Sequence, residues 1–384
     1  MISKLTTAIL MGIGIFSGSV CAQQQGVTPT EILLGEVNPL TGAPALLGIA
    51  YNVGTKIAIA EANAGGGVNG RKLRLVTEDD GYVSSRTVQS VRKLIDVDKV
   101  FAFTALSGSG QAMASLPVID KAGIPAMASV TPVTPLYQPP HKSVFVVGQS
   151  SEEGMYQLVR YLATKFPGKK WGILTQDDDY GAALRTGFAR AKKEFSLNTT
   201  YEAEYKKGQQ DFSSEMLSAR SAGIEIFMAG GVIAENVAMV KELEKLNAKP
   251  IVGIFWPGRI PVTLKLMGPA SDGIYGVDYV DPDLSDSVAA FTERAKKLVS
   301  ESEIKAMNRY TLSSYTSTRV LIEAMRRCGK DLTWACTIAE LEKTKNFESG
   351  VMGPVSFGPG GRFSANSVRI MRADHGTLSF KPVQ

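Results

Sequence analysis

The sequence predicts an α/β protein: two doubly wound parallel-sheet lobes joined by a hinge that the chain crosses several times. Three observations predict it. Short apolar runs alternate with amphipathic helical stretches from residue 31 to 147, and a second alternation runs from 155 to 255. The last third turns helical with few strands of its own, so its helices have to cover a sheet built earlier. The length agrees, because 384 residues with 44% hydrophobic and 21% charged side chains can bury two cores and lack a disordered composition.

In the first array, residues 31–38 read as a strand, 51–63 as a helix and 71–78 as a strand. Residues 85–96 follow as a helix with Val88, Val91 and Ile95 on one face, then 100–106 as a strand. A helix at 111–121, a strand at 125–129, a Pro-rich loop at 131–140 and a strand at 143–147 complete it. The second array opens on a helix in which Met155, Leu158, Val159, Leu162 and Phe166 recur at helical spacing. Strands at 171–175, 200–205, 224–229 and 250–255 then alternate with helices at 182–195, 212–222 and 235–247. Helices at 287–300, 312–327 and 338–345 follow, and 369–373 with 378–381 forms a hairpin about Asp374-His375-Gly376. The expected lobes are therefore 27–149 plus 279–353, and 150–278 plus 354–384, with a cleft between them.

The first 22 residues read as an export signal. Lys4 precedes an apolar stretch at 5–16 that is shorter than the ~20 residues a membrane span needs. Val20-Cys21-Ala22 offers small residues for cleavage after Ala22, which predicts a periplasmic protein. A lipid-anchored reading needs a small residue before Cys21, where Val20 stands. Cys328 and Cys336 then remain in an oxidising compartment, eight residues apart, which suits a local disulfide. The other reading is two buried free thiols.

Most catalytic classes lack their residues. With 42 Lys+Arg against 37 Asp+Glu, scattered as pairs near helix ends, the net charge of +5 does not argue for nucleic acid. Gly65-Gly66-Gly67-Val68-Asn69-Gly70 follows a helix and precedes a strand, the reverse of a dinucleotide-binding loop. Neither a P-loop, H-E-x-x-H nor G-x-S-x-G is present, and the two histidines, His141 and His375, lie in loops. Asp79-Asp80 and Asp177-Asp178-Asp179 sit at strand ends before helices, where capping accounts for them better than a metal. The expectation is a protein without cofactor, metal or catalytic activity. What remains is binding at strand-end loops, where open α/β sheets take ligands. Ser107-Gly108-Ser109 exposes N–H groups and hydroxyls at a helix start, suited to a carboxylate, and Ser129-Val130-Thr131-Pro132 is a second such loop.

These motifs, in order, resemble a known family. Ile32-Leu33-Leu34-Gly35 leads to Pro39-Leu40-Thr41-Gly42, then Gly70-Arg71-Lys72-Leu73, Asp79-Asp80 and Ala122-Gly123-Ile124-Pro125. Asp179-Tyr180-Gly181, Asp211-Phe212-Ser213, Ala229-Gly230-Gly231, Tyr315 and Gly353-Pro354-Val355 continue it. The chain resembles the type I periplasmic solute-binding proteins of the leucine/isoleucine/valine-binding class, which feed ABC importers. The resemblance implies a type I periplasmic-binding-protein fold that closes on a small ligand, acts as a monomer and docks on an inner-membrane permease. It places a ligand carboxylate on Ser109 and the Ser129–Thr131 loop, Leu47 on the pocket wall, and Tyr180 and Tyr310 at second-lobe and hinge-side contacts.

Two departures bear on the ligand. Amino-acid binders of the family keep a tyrosine where Val232 stands, and a carboxylate for the ammonium where Ile254-Phe255-Trp256 offers none. A buried ammonium without a counter-charge is costly, so an α-amino acid fits only if Glu235 or Asp278 reaches in. Trp256 offers a flat wall for an aromatic or aliphatic acid or an amide; the other reading is lobe packing. A ligand-sensing module of the same fold, feeding a membrane receptor or regulator, would have the same sequence features. Neighbouring genes for a permease and ATPase, or for a kinase, would separate the two.

Overall fold

The structure is a computed structural model and describes residues 24–130, 132–280 and 286–383. The expected signal segment and Thr131 lie outside the described residues.

The first sheet is built from β1 (Glu31–Asn38), β2 (Lys72–Asp79), β3 (Ala102–Leu106), β4 (Ala126–Met127) and β5 (Val144–Gly148). Its helices are α1 (Ala45–Ala64), α2 (Ser84–Asp96) and α3 (Ser109–Ala122). The second lobe follows with α4 (Ser151–Lys165), β6 (Lys170–Gln176), α5 (Asp179–Phe195), β7 (Asn198–Tyr205), α6 (Ser213–Ser221) and β8 (Ile226–Gly230). It continues through α7 (Ala234–Lys245), β9 (Ile251–Ile254), α8 (Pro261–Met267) and β10 (Tyr275–Asp278). Helices α9 (Asp286–Ala295), α10 (Glu301–Ala306), α11 (Arg309–Arg327) and α12 (Trp334–Glu342) precede β11 (Phe363–Ala365), β12 (Arg369–Asp374) and β13 (Ser379–Pro382).

The first sheet has the order β11-β5-β4-β3-β1-β2 and the second β13-β12-β10-β9-β8-β6-β7. All pairings are parallel except β10 with β12 and β12 with β13. Strands β3, β5 and β8 are buried throughout, because helices cover both faces of a parallel sheet. This is the doubly wound α/β architecture that the alternation predicted.

The late helices do return to the first sheet. Helix α11 is buried along most of its length and packs on α1. There, a methyl on Gly54 would lie 2.1 Å from the Thr311 carbonyl oxygen, so only glycine permits the approach. Thr311 Oγ1 donates to the Ala50 carbonyl (2.9 Å), and the Tyr51 and Ser317 hydroxyls bond at 3.0 Å. The sulfurs of Cys328 and Cys336 are bonded, with the Cα atoms 5.9 Å apart, tying the end of α11 to α12.

One expected boundary needs correction. The final return to the second lobe was expected at 353/354, yet Phe363–Ala365 still pairs in parallel with Val146–Gly148 at the edge of the first sheet. The crossing falls between β11 and β12, because a three-residue strand carries no readable alternation. The other crossings follow β5 and β10, so the chain passes between the sheets three times.

Candidate functional site

Both sheets reverse their winding direction once. In the first sheet the reversal lies between β1 and β3, and in the second between β6 and β8. Loops leaving the C-terminal ends of strands diverge at such points and leave a crevice. A tight cavity of about 10 Å³ lies between the two crevices, lined by Pro39, Leu47, Tyr82, Gly108, Val130, Tyr180, Val232 and Pro257. Each of these residues follows a strand end: β1, β2, β3 and β4 on one side, β6, β8 and β9 on the other.

Five of the residues singled out in the sequence are brought together here: Leu47, Gly108, Val130, Tyr180 and Val232. Leu47 reaches the cavity from the first turn of α1, which begins at Ala45 after Pro44, a residue suited to a helix start. A Cβ on Gly108 would lie 2.6 Å from Tyr82 Cε2 and 2.9 Å from Gln111 Oε1, so either side chain would have to shift to admit it. Beside it Ser107 holds φ at +24°, a conformation non-glycine residues seldom adopt, and its hydroxyl is buried without a partner. Ser109 opens α3 and is fully buried. Ser107, Ser109, Trp256 and Tyr310 are not among the lining residues. Pro39, Tyr82 and Pro257 were not read as site residues, although each occupies a strand-end loop.

The walls touch across the cleft. Lys207 Nζ lies 3.6 Å from the centre of the Tyr82 ring, and Asp179 Oδ2 is 3.4 Å from where a Gly110 Cβ would be. Burial lowers the Lys207 ammonium, against the pull of Asp178, Asp80 and Glu235. Burial also raises the Asp179 carboxyl, and Asp178 beside it adds to the rise. Burial, then the neighbouring Tyr310 hydroxyl, drives the Tyr180 phenol well up.

Beneath the first-lobe crevice, the fully buried Glu36 ties the two switch strands together. Its Oε1 accepts from Asn38 Nδ2 (2.7 Å) and Asn52 Nδ2 (2.8 Å), and its Oε2 accepts from Thr104 Oγ1 (3.0 Å). Burial raises its carboxyl above the ordinary range.

The two candidates for pairing an ammonium are otherwise engaged. Asp278 Oδ2 accepts from Arg259 Nε (2.7 Å) and Arg309 Nε (2.6 Å), and its Oδ1 from Arg309 Nη2 (2.8 Å). Glu235 lies in the first turn of α7; burial raises it, while the N–H groups of Glu235, Val232 and Ile233 pull it back. Trp256 is fully buried, its ring 3.8 Å from Phe255 and edge-on to Tyr279 at 5.1 Å.

The acidic clusters hold turns and cap one helix. Asp79 accepts from the Leu40 N–H (2.8 Å), the Gly81 N–H (2.9 Å) and Thr41 Oγ1 (2.6 Å), and Asp178 caps α5 through the Gly181 N–H (3.1 Å). His141 bonds Asp120 (2.8 Å) and His375 bonds Ser271 (3.1 Å), and neither lines the cavity. Among the described residues, no group of three or more His, Cys, Asp or Glu side chains is placed to hold a metal. Nor, among them, is any helix long and apolar enough to cross a membrane. Among the described residues, those lining the cavity place no nucleophile against a base.

The sequence profile described as periplasmic binding protein matches residues 31–377. Leu/Ile/Val-binding protein homolog 7 of Brucella abortus is 26% identical over 367 residues, covering 91% of this chain and 90% of that protein. Two solved structures share the fold. One is a branched-chain amino acid ABC transporter protein from Thermus thermophilus with bound valine, with a TM-score of 0.82, 20% identity and coverage of 92% and 96%. The other is an ABC transporter solute-binding protein from R. palustris in complex with 4-hydroxybenzoate, with a TM-score of 0.81, 18% identity and coverage of 92% and 95%.

Proposed function

The chain belongs to the periplasmic binding protein family, and on that premise we propose that it captures a small carboxylate- or amide-bearing solute in the interlobe cleft and delivers it to an inner-membrane ABC importer. The observation that carries this reading is the pair of facing crevices at the two switch points, walled by residues that follow strand ends of both sheets. In this reading the chain is exported by the segment 1–22, cleaved after Ala22, and works as a monomer. The lobes are 27–149 with 279 to about 365, and 150–278 with the remainder.

The ligand's carboxylate docks on the Ser107-Gly108-Ser109 turn and the Val130-Thr131 loop, and Leu47, Tyr180 and Val232 enclose its apolar body. An α-amino acid is disfavoured. Its ammonium would need a buried counter-charge, and Asp278 is held by two arginines while Glu235 serves its own helix turn. Of the structures of similar fold, one is in complex with 4-hydroxybenzoate and one has bound valine, and this reading takes a ligand without an ammonium.

A thermal-shift screen of residues 23–384 tests this, comparing leucine and valine with benzoate, 4-hydroxybenzoate, hexanoate and urea. A ligand at 100 times its Kd adds about 2.7 kcal/mol, a shift of a few degrees for a chain this long. Stabilisation by acids or amides alone is the expected result. Stabilisation by leucine or valine would show that an ammonium partner comes from elsewhere in the cleft.

A further inference from the structure

The walls of the cleft leave about 10 Å³ between them, roughly the room of one water molecule. A solute can be enclosed there only if one wall gives way. Of the eight described lining residues seven are buried, and Tyr82 alone is partly exposed. Leu47, Val130, Tyr180 and Val232 are packed into the largest apolar core, whereas Tyr82 is not part of it. Pro39 and Pro257 carry rigid rings, and Gly108 has no side chain to move.

The backbone of Tyr82 is fixed, while its ring is free to turn. Its N–H donates to Asp80 Oδ1 (2.8 Å), and its carbonyl accepts from Gln111 Nε2 (2.8 Å). The residue holds φ at +65°, a region that bulky side chains seldom enter. In that conformation the phenol lies on Gly108, where a Cβ would be 2.6 Å from Cε2 and 3.1 Å from the hydroxyl. From the second lobe, Lys207 Nζ stands 3.6 Å from the ring centre, a cation–π contact. Gly108 is the middle of the turn proposed above to take the solute's carboxylate, so the ring and the carboxylate need the same place. Ser107 Oγ, buried in that turn, has no hydrogen-bond partner. The ring gives it none, whereas a carboxylate would accept from it.

We propose that Tyr82 is the gate of the cleft: its ring covers the carboxylate-docking turn, rests against Lys207 of the opposite lobe, and rotates away when a solute enters. This rests on the proposed binding function and names the residue that sets how large an acid the cleft admits. Solute and ring compete for one place, so trimming the ring should tighten binding. Trimming a wall that touches the ligand does the reverse.

The test uses the mature chain, 23–384, and two variants, Tyr82→Ala and Tyr82→Leu, with a melting curve for each. Both keep the backbone groups that hold the loop. Titration calorimetry compares benzoate with the bulkier 2-naphthoate. Tyr82→Ala should bind benzoate about fivefold more tightly than the parent, with Tyr82→Leu between the two. The parent should bind 2-naphthoate about tenfold more weakly than benzoate, and Tyr82→Ala should abolish most of that difference. Unchanged or weaker benzoate binding in both variants overturns the gate and leaves Tyr82 as a fixed wall, while the solute-binding function stands. If neither acid binds to the parent or to either variant, the gate and the acid-binding reading fall together.

Discussion

Gly108 shows how tightly the first-lobe crevice constrains single residues. Gly108→Ala would push a methyl into the Tyr82 ring and against Gln111 Oε1. Both contacts lie within the first lobe and persist when the cleft opens, so a clash costing about 1–3 kcal/mol should lower the melting temperature of the ligand-free protein by a few degrees, by calorimetry. Gly108 was legible in the sequence because a Gly/Ser cluster between a strand and a helix has few other uses. Tyr82 was not, although it follows a strand end and meets Lys207 across the cleft. Periodicity marks where a strand stops but not which way the next side chain turns. The pairing of Arg309 with Asp278 was equally invisible, since 31 residues separate them and no local pattern links them.

At the level of elements, interiors were legible and beginnings were not. Helices α1, α3, α5 and α11 all start before the first periodic apolar residue, so Leu47, Ser109, Tyr180 and Tyr310 sit in first turns rather than loops. A first turn holds too few residues to display a 3.6-residue period. Strands β10 and β11 and helix α8 escaped the sequence reading because each is short. The disulfide belongs to this scale. A closed loop of eight residues is worth about 2–3 kcal/mol in the unfolded-chain entropy account. The double variant Cys328→Ser/Cys336→Ser should therefore melt a few degrees lower, by calorimetry. Its ligand affinity should be unchanged, because α11 is about 28 Å long and presents only its first turn to the cleft.

For the whole molecule, closure should be linked to proton uptake. With the lobes together, burial and Asp178 hold the Asp179 carboxyl above its ordinary range; once the cleft opens, hydration returns it toward 3.8. The closed form then binds more protons than the open one. Closure is favoured most fully below pH 3.8, and the advantage fades as pH rises through the raised value. Ligand titrations near pH 5, run in two buffers of different ionisation enthalpy, should record proton uptake that Asp179→Asn reduces. Equal uptake in parent and variant would remove Asp179 from the linkage.

The late pairing of Phe363–Ala365 with β5 also bears on how the protein comes into being. The first sheet gains its outer strand only from a segment about 215 residues downstream of its neighbour, and the second sheet ends on β12 and β13, close to the C-terminus. Neither lobe can be completed from an N-terminal fragment, so the chain must be almost fully made before either sheet has all its strands. For a polypeptide that crosses a membrane as an extended thread, that delay is useful. On the export proposed above, the order in which the strands are encoded would keep either sheet from being completed before the last segments have crossed.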